Sequence, residues 1–272
     1  MEPVTSILLP VDYSDRSLDA ARQAEALARQ FQSAVTVLHV ADPQEAEFGR
    51  FEPGGLKIRE LERLLGNEFT GSTVSRIESH GEPAQEIVRF AASNHVDLIV
   101  MAGHTYRPIE SFLAGSVAAE VLRNAKCPVW MPAQAEPGLP PMFREVLCSV
   151  DLGPETQRVV DWASQFATAF RARLSILHVF QSLEPGQPPE QPAEWLSQTE
   201  RNELDRVIRK LNGTGRVVFD GGDIPEAICK QALKARADLL AIGRSPKEGD
   251  VGAGRTKVRT IMSKAPCPVV RV

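Results

Sequence analysis

The chain has little cysteine and no long apolar run. Its four cysteines, Cys127, Cys148, Cys229 and Cys267, are too few for a disulfide framework, and none stands in the C-x-x-C spacing of zinc or thiol redox sites. They read as small buried hydrophobes. The longest apolar stretches, such as Ile7 to Val11, fall far short of the roughly 18 residues of a membrane span. The opening Met1-Glu2-Pro3 lacks the basic region of a secretory signal, so a cytoplasmic protein with no membrane partner is expected. Charge of one sign is not concentrated either: the net charge is -4 and no block of five like charges occurs, which argues against a nucleic-acid surface. Hydrophobic residues at 43% and charged residues at 24% exclude a disordered or fibrous chain.

What the sequence has is a repeat. Residues 6–41 (SILLPVDYSDRSLDAARQAEALARQFQSAVTVLHVA) and 145–180 (EVLCSVDLGPETQRVVDWASQFATAFRARLSILHVF) each run from an apolar stretch ending in Val-Asp, through a helical pattern, to an apolar stretch ending in Leu-His-Val. The shift is constant, since 151 − 12 and 178 − 39 are both 139. Ala20, Ala24, Leu27, Ala28 and Phe31 recur as Val159, Ala163, Phe166, Ala167 and Phe170, an apolar stripe of helical period. Farther on, GEPAQEI (81–87) parallels GDIPEAI (222–228), Asp97-Leu98-Ile99 parallels Asp238-Leu239-Leu240, and Cys127-Pro128-Val129 parallels Cys267-Pro268-Val269. The chain is a duplicated unit.

Each unit alternates short apolar runs with amphipathic helical stretches, the pattern of an α/β fold with an open parallel sheet covered by helices on both faces. Five strands per unit are expected, near 6–12, 35–41, 73–79, 97–102 and 128–132, then near 145–151, 173–180, 215–221, 238–243 and 267–272. The stretch AQAEPGLPPM (133–142), with three prolines, continues neither element. The expected domains are therefore 1–134 and 144–272, joined by a Pro-rich linker at 135–143. Surface loops are expected at 49–55 and at 184–192.

Ligands of open parallel sheets bind beyond the carboxyl ends of the strands, where strand order reverses. In the first unit Asp12, Val40 and the loop Met101 to Val117 converge there. Gly115 and Ser116 are expected to open a helix whose free N–H groups and positive dipole end suit a phosphate. The strand histidines His39 and His178 read as hydrogen-bonded core residues and not as general bases.

These residues resemble the universal stress protein family over the whole chain, twice. Val11-Asp12-Tyr13-Ser14, Leu38-His39-Val40 and Ala125-Lys126-Cys127-Pro128-Val129 match the family's V-D-x-S, L-H-V and A-x-C-P-V. The resemblance implies two Rossmann-like units, five parallel strands each, forming an internal pseudo-dimer through their last strands, with Trp130 and Met131 as interface residues. It implies a stress-response role, binding of ATP with Mg²⁺, a regulatory protein partner, further homodimerisation as an option, and little or no catalysis. In ATP-binding relatives the aspartate and the valine after the histidine hold adenosine, and G-x-x-G-x9-G-S/T holds phosphates and ribose. Here the last part of that motif falls on Gly115, Ser116 and Val117, His104 stands where the family often has Arg or His, and the two earlier glycines fall on Ala102 and Thr105. In the second unit the matching positions are Asp151, Val179 and Gly243. Its loop is rebuilt through Pro246 to Gly254, Arg255 and Thr256, a near miss to a P-loop with Arg244 and Lys247 nearby. The first unit is thus the expected nucleotide site. Two alternatives stay open: a nucleotide-free protein-interaction module, and a slow ATPase.

Overall fold

A computed structural model describes residues 4–12, 15–41, 73–102, 117–132, 143–181, 183–185, 189–244 and 253–272, without the side chains of 15, 16, 18 and 253–256. The chain divides into two compact units, Glu2–Pro141 and Met142–Val272. In the first, β1 (Ser6–Val11), α1 (Asp15–Phe31), β2 (Ala34–Ala41), β3 (Val74–His80), α2 (Pro83–Ser93), β4 (Leu98–Val100), α3 (Val117–Asn124) and β5 (Val129–Met131) follow in order. In the second come β6 (Glu145–Ser149), α4 (Thr156–Phe170), β7 (Arg173–Phe180), a 3₁₀ turn (Pro192–Trp195), α5 (Gln198–Leu211), β8 (Gly215–Gly221), α6 (Ile224–Ala235), β9 (Leu239–Ile242), α7 (Ala253–Lys264) and β10 (Val269–Arg271).

All strand pairs within each unit are parallel, in the order β3-β2-β1-β4-β5 and β8-β7-β6-β9-β10. The chain leaves β1 toward β2 and β3, then returns across the sheet to β4 and β5. Right-handed crossovers in opposite directions place helices on opposite faces. Buried strands explain the near-continuous apolar runs: Ile7, Leu8 and Leu9 are fully buried, as are Leu239, Leu240 and Ala241. The helical stripe inferred from the repeat is the buried face of α1 and α4, with Ala20, Ala24, Leu27 and Val159, Ala163, Phe166 all inside.

The repeated motifs have structural causes. Gly81 and Gly222 both take positive φ, at 142° and 112°, a conformation that favours glycine. The acid that follows each caps the next helix: Glu82 accepts from the N–H groups of Ala84 and Gln85, and Asp223 from that of Glu226. The proline then occupies the first helical turn, where no N–H is required. Asp97 and Asp238 clamp the amino ends of the first strands, accepting from the N–H groups of Thr5 and Ser6 and of Arg144 and Glu145.

One expectation needs correction, and the packing places two further residues. Cys148 and Cys267 are buried, but Cys127 and Cys229 are only half-buried. Phe143, the last residue of the expected linker, is 4% exposed and packs edge-on against Phe166 and Phe170, so the aromatic core of the second unit draws it in. Trp130 is fully buried and donates its indole N–H to the Gln23 Oε1 of α1 at 2.6 Å. The loop expected at 49–55 and most of the linker lie outside the described residues.

Candidate functional site

In both units the central strand, β1 or β6, has a neighbour on each side that is reached by crossovers of opposite direction. The carboxyl ends of β1 and β4, and of β6 and β9, are therefore the switch points. Asp12 immediately follows β1 and is exposed. Its carboxylate accepts from the Ser17 hydroxyl at 2.8 Å, and its own N–H donates to the same hydroxyl at 3.0 Å. Ser17 is 5% exposed, so a buried side chain on the first turns of α1 fixes the carboxylate in place. Val40 lies one residue from the end of β2, half-buried, Ala102 two residues beyond β4, and Val117 is the first residue of α3. The structure brings Asp12, Val40 and Ala102 to one sheet edge. His104, Thr105, Gly115 and Ser116 lie outside the described residues.

The histidine of each second strand ties it to the central one. His39 Nδ1 stands 3.2 Å from the Val11 carbonyl oxygen and His178 Nδ1 3.0 Å from that of Val150. A carbonyl only accepts, so Nδ1 carries a proton in both rings. His178 is 8% exposed and meets Phe180 edge-on at 4.8 Å. Burial pushes it below the ordinary histidine range, against the opposing pull of the Val150 carbonyl and the carboxylates of Glu200 and Asp151. Glu200 is itself held below its usual range by hydrogen bonds from Ser197, whose capping box opens α5.

The second unit repeats the positions but not the bonds. Asp151 is exposed and accepts at 2.9 Å from the N–H of Gly153, two residues on. Thr156, which stands where Ser17 does under the 139-residue shift, is 1% exposed and its hydroxyl makes no hydrogen bond. Val179 is buried. Gly243 follows β9, and a Cβ there would lie 2.9 Å from Val159 Cγ2 of α4, so helix packing favours a glycine at this position. Gly254, Arg255 and Thr256 fall in the first turn of α7, which begins at Ala253. Sequence reasoning missed Ser17 and Thr156, although the signal was present, since each follows its aspartate by five residues.

Among the described residues no group of three His, Cys, Asp or Glu side chains could hold a metal, and no helix is long and apolar enough to cross a membrane.

The model of the universal stress protein family matches residues 3–131 and again 142–272. A universal stress protein of Methanocaldococcus jannaschii is 34% identical over 135 residues, covering 45% of this chain and 78% of its own. One from Thermus aquaticus is 31% identical over 130 residues, covering 46% and 95%. A solved universal stress protein from Archaeoglobus fulgidus superposes with a TM-score of 0.72 at 19% identity, over 98% of this chain and 96% of that one; this likeness speaks to the fold alone.

Proposed function

The chain belongs to the universal stress protein family in both of its halves, and from that premise we propose that it is a cytoplasmic sensor or regulator that binds ATP, mainly in its first unit, without turning it over. The observation that carries this reading is the Asp12–Ser17 pair at the switch point of the first sheet. A carboxylate anchored by a buried hydroxyl is pre-organised to accept hydrogen bonds from a nucleoside, so little ordering remains to be done on binding. Val40 would contribute backbone groups at the end of β2, and Ala102, His104 and Thr105 would flank the phosphates. Gly115, Ser116 and Val117 would offer N–H groups and the positive end of α3. Bound Mg²⁺ would arrive with the triphosphate, shielding its charge. The second unit, with Asp151, Val179, Gly243, Gly254, Arg255 and Thr256, has its aspartate engaged in its own turn and is the weaker candidate. The occupied first unit would then be read by a regulatory protein partner.

The test is denaturation of the protein, stripped of ligand by unfolding and refolding, with and without ATP, AMP and Mg²⁺. ATP at 100 times its dissociation constant should stabilise the native state by about 2.7 kcal/mol, and Gly115→Asp should remove that stabilisation by placing a carboxylate where the phosphates sit. No shift with any nucleotide overturns the reading in favour of a protein-interaction module. Ala102, which has a Cβ where relatives have glycine, is the residue that favours this second reading. Release of phosphate from ATP in the same samples would favour a slow ATPase.

A further inference from the structure

Among the described residues β3 and β8 are outer strands, each hydrogen-bonded to a single neighbour, β2 or β7. They treat their open sides differently. In β8 the charged side chains are engaged within their own unit: Arg216 donates to the Ser175 hydroxyl at 2.9 Å, and Asp220, 1% exposed, accepts from the Gly221 N–H and the Gln231 amide. In β3 no residue is fully buried. Ile77 is 39% exposed, and among the described residues neither Arg76 nor Glu78 makes a side-chain hydrogen bond or ion pair.

The ends of β3 fix the direction of its backbone groups. The Val35 N–H donates to the Thr73 carbonyl at 2.9 Å, and the Gly81 N–H to the Ala41 carbonyl at 3.2 Å. In a parallel ladder alternate residues point their backbone groups to the same side, so Thr73, Ser75, Ile77, Ser79 and Gly81 turn toward β2. Val74, Arg76, Glu78 and His80 turn their N–H and C=O groups outward. An outward row of this kind is a template for another strand, blunted where proline, a bulge or charge stands on it. β3 has no proline, its register with β2 runs unbroken from Val74 to His80, and its charges at Arg76 and Glu78 have opposite sign.

We propose that β3 is a homodimerisation edge, at which two copies of this chain pair antiparallel about a two-fold axis through Ile77. Only residues with outward groups can exchange both hydrogen bonds across such a pair. The register that sets Arg76 against Glu78 of the second copy, and Glu78 against Arg76 of the second copy, bonds the outward residues alone. It also sets Val74 against His80 and overlaps the strand over its full length, because Ile77 is the midpoint of β3. Directly opposite residues share a face. The register therefore makes two cross-strand ion pairs on one face and brings the two exposed Ile77 side chains together on the other, at the closely spaced, non-hydrogen-bonded position. Registers centred on Arg76 or on Glu78 set like charges against each other, and so does an in-register parallel pair. Charges that hinder a foreign strand thus select this one. The pattern is complementary to itself, which is what an isologous interface requires. The same alignment of β8 would oppose Arg216 and Asp220, whose side chains already bond within their own unit. The dimer edge stands whether or not ATP occupies the first unit.

Sedimentation velocity on the full chain, from low to high micromolar concentration, reads the association. A reversible monomer–dimer equilibrium is expected. Arg76→Glu and Glu78→Arg each turn two attractions into two repulsions, and each should weaken the dimer by about tenfold or more. Neither side chain has an intramolecular partner to lose among the described residues, so circular dichroism and urea midpoints of the single variants should match the wild type. Mixed in equal amounts, the two variants should associate with each other, and the double variant Arg76→Glu, Glu78→Arg should regain the wild-type dimer. A chain that stays monomeric over the whole range overturns the proposal. So does a dimer that is indifferent to both single substitutions, or one that neither the mixture nor the double variant restores.

Discussion

Among the described residues the two units share five strands and three helices in the same order and load them differently. In the first, Ser17 spends its hydroxyl on Asp12; in the second, Asp151 turns to the N–H of Gly153 and the Thr156 hydroxyl is left without a partner. In the first, the large indole stands on the last strand, where Trp130 meets Gln23 of α1. In the second, it stands on the helix: Trp162 takes the position of Gln23, and Val270 that of Trp130, with Trp162 stacking on Phe166 at 5.2 Å. Duplicated sequence thus conserves volume and backbone while freeing polar groups for new partners. The difference says that the fold is set by the apolar stripe and strand register, and that the chemistry at the carboxyl edge is set by single polar side chains that the fold tolerates in several arrangements.

The largest effect should come from the indole. Trp130→Ala removes a fully buried side chain and should destabilise the first unit by about 3–5 kcal/mol, read as a lower unfolding midpoint in urea. The pair Trp130→Val with Gln23→Trp, which imports the arrangement of the second unit, should recover more than half of that loss. Failure to recover any of it would mean that the two cores are not interchangeable solutions. Next in size, Gly243→Ala sets a methyl 2.9 Å from the stiff Val159 side chain and should lower stability by about 1–3 kcal/mol. Ala102→Gly, at the matching place in the first unit, should lose no more than about 1 kcal/mol.

The switch-point hydroxyls should respond with opposite signs. Ser17→Ala deletes an acceptor for the Asp12 N–H and a donor to its carboxylate, a loss of about 1 kcal/mol or somewhat more. Thr156→Val replaces a buried, unbonded hydroxyl with a methyl of similar size, and it should be neutral or stabilising by about 1 kcal/mol. Equal losses at both positions would show that the Thr156 hydroxyl has a structural partner.

Much of this was legible in the sequence, and the misses share a cause. Strand positions followed from runs such as Ile7 to Val11 because burial on both faces of a parallel sheet demands continuous apolar residues. Observed strands lie within about two residues of those expected. The family motifs marked Asp12, Val40, Asp151 and Val179 at the carboxyl edges. Periodicity does not report which polar groups bond to one another: nothing local to Ser17, Gln23 or Thr156 says whether its partner is five residues away, across a layer, or lacking. Arg271 left a clear mark, a charge inside the apolar run Val269 to Val272 where the first unit has Met131. Gly243 was legible as a required glycine, and the close approach of Val159 is a reason that no local pattern shows.

The smallest effect is one of pH, and it bears on the second unit alone. His178 is buried and titrates below the ordinary range in the folded state, whereas in the unfolded chain it should titrate near the reference value of about 6.5. Above that value both states are neutral and the histidine contributes no pH dependence. As pH falls below it, the unfolded chain takes up a proton that the folded unit accepts less readily, so folded stability declines with falling pH. The groups facing the ring are the Val150 carbonyl, Phe180 and the carboxylates of Glu200 and Asp151. The two carboxylates oppose the burial effect, which keeps the decline shallow. Urea midpoints of the second unit's transition, measured from pH 7.5 down to pH 5 on wild type and His178→Gln, should diverge: the wild type should lose ground below about pH 6.5 that the glutamine variant keeps. Parallel curves would mean that Glu200 and Asp151 hold the imidazolium as well as water does.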